Sequence, residues 1–207
     1  KLSNIKINDL PALKKNYFTF GSFNNFHKIS NETAKVWGEI LNNVTNSRLV
    51  LKTLDNVDKD YEDYLIKKLN LKKEKIFFLK TEKDKNKHLQ HYNEIDIALD
   101  TFPYNGVTTS FESIWMGVPV LTKIGNNYSS RCGYSINKNL RLEEFIAIDN
   151  EDYISKAISF SSEKNLNNLN NLRKSLREKA ASSVLFDGKL FAENFSKKIL
   201  EVVNKPI

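Results

Sequence analysis

Short apolar runs rich in β-branched and aromatic residues alternate with longer stretches of helical periodicity as far as residue 122. That alternation constrains the fold more than any other feature. Residues 17–23 (YFTFGSF), 48–54 (RLVLKTL), 75–79, 95–99 and 118–122 read as strands. Between them, a helix capped by Ser30 or Asn31 carries Val36, Trp37, Ile40 and Leu41 on one face. A second, opened by Asp58 or Asp60, carries Tyr61, Tyr64, Leu65 and Leu69. A short polar helix carries His88, and a further helix over 108–116 stops at Gly117. Beyond these, residues 152–160, 166–181 and 189–203 are helical in period. Strands separated by helices call for a parallel sheet, and right-handed crossovers wind it on both faces. The expected fold is therefore α/β, a Rossmann-like doubly wound parallel sheet with extra C-terminal helices. Its ligands belong at the carboxyl ends of the strands. Residues 1–16 lack a clear period and are expected to be a linker to something upstream, with one domain over 17–207.

Composition narrows the function. A chain of 207 residues that is 40% hydrophobic can build a core. No apolar run approaches the roughly 18 residues needed to span a bilayer, so no membrane partner is expected. One cysteine, Cys132, cannot form an internal disulfide, and a cytoplasmic setting is expected. The first residue is Lys1 rather than Met, which is read as a piece of a longer protein. The net charge of +7 comes overwhelmingly from lysine, and the five arginines are scattered. The densest lysine stretch, residues 67–87, is also rich in Asp, Glu and Asn, so a nucleic-acid partner is not expected and a phosphate-bearing ligand is compatible.

The most informative segment is Asp100-Thr101-Phe102-Pro103-Tyr104-Asn105-Gly106-Val107-Thr108-Thr109-Ser110-Phe111-Glu112. A buried strand leaves into a loop containing Pro103 and Asn105-Gly106, then turns into a helix beginning with three hydroxyl residues. Free N–H groups and the positive end of the helix dipole make that start a ready diphosphate site. Glu112, one turn past Thr108, is placed to accept from a ribose diol. The plainer alternative is that Thr108 caps the helix and Glu112 is solvated. At the end of the first strand, Phe20-Gly21-Ser22-Phe23-Asn24-Asn25-Phe26-His27-Lys28 offers a small residue for close ligand approach and Lys28 as a point charge. There is no G-x-G-x-x-G, Walker loop or G-x-S-x-G elbow. His88 and His91 make a poor metal pair without a third ligand, and Asp58-Lys59-Asp60 reads better as a helix cap than as a metal site. Cys132 is read as a small buried thiol.

Taken together, these segments resemble the catalytic region of the TPR-linked O-GlcNAc transferase family, which includes the SPINDLY-like proteins. The resemblance runs from Leu10-Pro11-Ala12-Leu13, through Thr19-Phe20-Gly21-Ser22-Phe23-Asn24-Asn25 with Lys28, to Ile95-Asp96-Ile97-Ala98-Leu99-Asp100-Thr101-Phe102-Pro103-Tyr104-Asn105-Gly106 and Thr108-Thr109. It continues over Glu112-Ser113-Ile114-Trp115-Met116-Gly117-Val118-Pro119-Val120-Leu121-Thr122 and ends at Ser129-Ser130-Arg131 with Gly133. It implies the C-terminal lobe of a two-lobed GT-B glycosyltransferase that binds a nucleotide sugar, usually UDP-GlcNAc, for transfer to Ser or Thr hydroxyls of proteins. By position, Lys28 would hold the diphosphate and stabilise the leaving group. Asn105, Gly106, Thr108 and Thr109 would form the phosphate loop and helix start, and Glu112 would hold the ribose. Asn25 and His88 would line the nucleotide pocket, and residues 80–85 would present backbone to the base. No metal or other cofactor is implied. Val107 and Glu112 stand where the animal enzymes have His and Asp, which leaves GDP-fucose, as used by SPINDLY-like members, or Asn glucosylation as alternative chemistries. The resemblance also implies an N-terminal lobe, with a catalytic His, and TPR repeats outside this chain. On its own the chain is expected to bind nucleotide and transfer sugar poorly. A catalytically silent nucleotide-binding module and an α/β domain that docks on a macromolecule are the rival readings.

Overall fold

Six strands and eight α-helices alternate in the computed structural model, which describes residues 5–52 and 59–204. In chain order they are β1 (Phe18–Ser22), α1 (Asn31–Asn43), β2 (Ser47–Lys52), α2 (Lys59–Lys68), β3 (Ile76–Leu79), α3 (Lys85–Gln90), β4 (Ile97–Leu99), α4 (Thr108–Trp115), β5 (Val120–Lys123), α5 (Cys132–Asn139), β6 (Ile146–Ala147), α6 (Asn150–Phe160), α7 (Glu163–Ala181) and α8 (Gly188–Val203). All pairings are parallel, in the order β3-β2-β1-β4-β5-β6. The chain order reverses between β1 and β4, where Gly21 lies between Val50 of β2 and Ala98 of β4. Every residue of β1 and β4 is buried, as a sheet covered on both faces requires. The doubly wound reading of the sequence therefore holds.

The helices form for local reasons. Ser30 caps α1 by accepting from the Thr33 N–H at 3.0 Å, and Trp37, Ile40 and Leu41 on one face are wholly buried. α1 packs on α2 and α6, and α4 packs on α7. The final residues expected in the second strand, Thr53 and Leu54, and the Asp58 cap lie outside the described residues. Two elements were not anticipated, α5 and the two-residue β6, the second being too short to show a period.

The tether expected over residues 1–16 is corrected for residues 5–16, which pack onto the domain. Leu10 is fully buried, and its N–H donates to Asn170 Oδ1 at 2.8 Å. The Ala12 N–H donates to Asp96 Oδ1 at 2.9 Å, and the Thr19 N–H to Asp96 Oδ2 at 2.7 Å. Arg173 of α7, also fully buried, donates to the carbonyls of Asn8, Tyr92 and Ile95. Burial brings its guanidinium down to about 10. These long-range bonds clasp the segment against β4 and α7, a tertiary effect that no local period reports.

α4 ends at Gly117, whose φ of +75° lies in the left-handed region and whose missing Cβ would stand 2.5 Å from the Arg173 carbonyl oxygen. Gly117→Ala should therefore destabilise the fold by about 2 kcal/mol or more, combining backbone strain with that clash. Urea denaturation checks this. A midpoint equal to that of the unsubstituted chain would show that the turn relaxes freely.

Candidate functional site

The reversal of strand order places the loop after β1 beside the loop after β4, and the polar groups of both meet there. Their hub is Asp100, at the end of β4 and 1% exposed. Its Oδ1 accepts from the Gly106 N–H at 2.7 Å and, more weakly, from Asn24 Nδ2 at 3.4 Å. Its Oδ2 accepts from the Thr122 hydroxyl at 2.8 Å. One carboxylate thus ties the loops after β1 and β4 to strand β5. Burial raises its pKa to about 6, opposed by these donors and by the charge of Lys28.

Gly106 is needed for close packing. A Cβ there would fall 2.6 Å from Thr109 Oγ1 and 2.8 Å from Asn24 Oδ1. Its N–H is already committed to Asp100, so the donors at the start of α4 are those of the residues that follow. The helix N-cap is Val107, with no side-chain cap bond. Thr108 is the first helical residue, and its exposed side chain is not the cap that the plainer reading assigned it. The Thr109 hydroxyl donates to Asn24 Oδ1 at 2.7 Å.

Lys28 closes the other side. Its Nζ donates to the Asn105 carbonyl at 3.0 Å and lies 3.9 Å from the centroid of the Tyr104 ring. An ammonium has three donors, so two remain for a ligand. Asn105 is fully buried, donating through Nδ2 to the Thr101 carbonyl at 2.8 Å and accepting from the Gly133 N–H at 3.3 Å. It shapes the loop through these bonds.

Glu112 and His88 lie on the remaining flank, with side chains 28% and 18% exposed. His88 Nε2 meets Glu112 Oε2 at 2.9 Å, and the Tyr92 hydroxyl shares its single proton between the same oxygen at 3.3 Å and the Thr109 carbonyl at 3.1 Å. Full burial drives the Tyr92 hydroxyl well above its usual pKa, so it acts as a fixed donor. Hydrogen bonds thus link Lys28, Asn105, Gly106, Thr109, His88 and Glu112, through Asn24, Asp100 and Tyr92, beside the crevice that the strand-order reversal leaves, with Thr108 exposed at the start of α4.

Some readings need correction. Asn25 is exposed, and its side chain accepts from the His27 N–H, capping a short turn. Its neighbour Asn24 is the buried residue that links Asp100 to Thr109. Gly21 makes room for Ile95, whose side chain would lie 2.6 Å from an added Cβ, so it does not admit a ligand. Cys132 is only partly buried. Burial, then the Asp100 charge, raises its thiol pKa, with Lys28 opposing. An apolar groove of about 860 Å³ runs from Val107 and Cys132 to Phe186 and Phe191, joining the mouth of the crevice to the start of α8.

The strand order and the crevice at its switch point define a lobe of the GT-B glycosyltransferase fold. The C-terminal domain of a glycosyl transferase group 1 family protein (LpcC) from Francisella tularensis superposes with a TM-score of 0.60, covering 88% of this chain and 96% of that one, at 13% identity. That likeness is one of fold alone. The chain belongs to glycosyl transferase family 41, whose family model matches residues 7–195. It is 39% identical over 188 residues to the Solanum lycopersicum protein named "Probable UDP-N-acetylglucosamine--peptide N-acetylglucosaminyltransferase SPINDLY", covering 89% of this chain and 20% of that relative. A mutant of the Thermobaculum terrenum O-GlcNAc transferase matches with a TM-score of 0.79 and 30% identity, over 88% of this chain and 36% of that one. The chain thus spans about a fifth of the length of the curated relatives it matches.

Proposed function

We propose that this chain is the nucleotide-sugar-binding lobe of a protein O-glycosyltransferase, with UDP-GlcNAc as donor and Ser or Thr hydroxyls as acceptors. The observation that carries the reading is the convergence of a lysine ammonium, the amino end of α4 and a carboxylate on one crevice at the strand-order reversal. Lys28 and the α4 amides take the diphosphate, and Glu112 takes the ribose diol, with His88 beside it.

In transfer, the acceptor oxygen attacks the anomeric carbon as the bond to the diphosphate breaks. The leaving diphosphate keeps the electron pair, and Lys28 and the helix dipole offset the charge that develops there. No metal is required in this scheme, because those groups supply the positive field. The acceptor proton passes to a base on an upstream lobe, which with TPR repeats completes the enzyme in a cytoplasmic setting. Among the described residues no helix is long and apolar enough to cross a membrane. α8 buries none of its residues and exposes Phe191, Phe195 and Ile199, a face suited to packing on that lobe.

Calorimetry tests the proposal. UDP is expected to bind with an affinity unchanged by a chelator, and more tightly than GDP. Glu112→Ala should weaken UDP roughly ten- to a hundredfold, the range for a hydrogen bond to a charged group, and barely change a ligand without the ribose diol. Equal losses for both ligands would remove Glu112 from the ribose. A chelator that abolished binding would refute the metal-free scheme.

A further inference from the structure

Lys52, the last residue of β2, places its Nζ against His88 Nδ1. An ammonium can only donate, so Nδ1 must be the accepting nitrogen. The ring proton then sits on Nε2, the atom that faces Glu112 Oε2 at 2.9 Å. The Tyr92 hydroxyl, whose ring meets the His88 ring edge-on, shares its proton between that same oxygen and the Thr109 carbonyl. Among the described residues, neither bond falls on Glu112 Oε1. The relay therefore fixes the direction of the His88 proton and engages Oε2 of the carboxylate, leaving Oε1 outside it.

We propose that Lys52 is a positioning residue: acting through His88, it sets which oxygen of Glu112 is presented to the vicinal diol of a ribonucleotide, and so sets the preference for ribose over sugars lacking that diol. This rests on the reading of the crevice as a nucleotide-sugar site. Lys52 touches no ligand in this account. Without its ammonium only the Glu112 contact holds the proton on Nε2, the Nδ1–H tautomer gains population, and in that tautomer Nε2 turns a lone pair toward the carboxylate. Glu112 would swing away from that repulsion.

The test uses the whole chain, with imidazole nitrogen shifts read at pH 8 and calorimetry with UDP and 2′,3′-dideoxy-UDP. In the unsubstituted chain, His88 should carry its proton on Nε2. Lys52→Met should move the proton population toward Nδ1 and weaken UDP about three- to tenfold, the scale of one hydrogen bond, leaving the dideoxy ligand unchanged. Lys52→Arg, whose guanidinium can only donate, should restore both readouts. An Nδ1-protonated His88 in the unsubstituted chain overturns the proposal even if Lys52→Met fails to fold. So does a Lys52→Met chain with an unaltered ratio of UDP to dideoxy affinity. If instead Glu112→Ala leaves that ratio unchanged, or UDP does not bind at all, the crevice reading itself falls and the proposal with it.

Discussion

Lys28→Ala is expected to weaken UDP binding by about 1.5–3 kcal/mol, roughly ten- to a hundredfold, the range for hydrogen bonds to a charged group. The ammonium is held in place before any ligand arrives, by the Asn105 carbonyl on one side and the Tyr104 ring on the other. Binding therefore spends little side-chain freedom on Lys28, and its two remaining N–H bonds are directed by the first. Removing it leaves the diphosphate facing only the helix start, a weaker and partial charge. Lys28→Arg should recover only part of the loss, since a planar fork does not fit the point contact over Tyr104. Calorimetry at fixed ionic strength reads both variants. An unchanged dissociation constant for Lys28→Ala would exclude Lys28 from the phosphate site.

The second large effect concerns Asp100, whose carboxyl burial pushes up to about 6 from an ordinary 3.8. A carboxyl raised in this way contributes stability that is fully present below the unfolded-state pKa and is lost as pH rises through 6. The shift corresponds to about 3 kcal/mol between pH ~3 and pH ~7. Asp100→Asn keeps Oδ1 for the Gly106 N–H and offers an amide to the Thr122 oxygen. Its fold should therefore be more stable than that of the unsubstituted chain at pH 7.5 by about 1–3 kcal/mol, with the difference shrinking toward pH 4. Asp100→Ala should do the opposite, costing about 2–5 kcal/mol, because the Gly106 N–H and the Thr122 hydroxyl are left buried without an acceptor. Urea denaturation at two pH values separates these outcomes. An Asp100→Asn chain less stable at pH 7.5 would mean that the ionised carboxylate is a net stabiliser. The position of Asp100 accounts for retaining a costly charge, since it fixes the loop on which Lys28 and the α4 start depend.

Much of this was legible in the residues. The alternation of strands and helices determines the doubly wound sheet, and right-handed crossovers then determine where its crevice opens. The segment from Asp100 to Glu112 reads directly as strand, loop and helix start. What stayed hidden depends on partners far away in sequence. Nothing local distinguishes Asn24 from Asn25, yet the pleat and the following turn bury one and expose the other. Lys52, His88 and Glu112 lie on three different elements, and only the folded sheet brings them together. Residues 5–16 looked aperiodic because their order comes from Asp96, Asn170 and Arg173. β6, with Ile146 and Ala147 alone, is a strand only because β5 lies beside it.

Amide chemical shifts followed through a UDP titration test the central claim most directly. UDP should bind saturably, with the largest shifts at Gly106, Thr108 and Thr109, accompanied by Lys28 and the His88 ring. Shifts confined to the separate cleft lined by Glu32, Lys123 and Asn150, or no shifts at all, would contradict it.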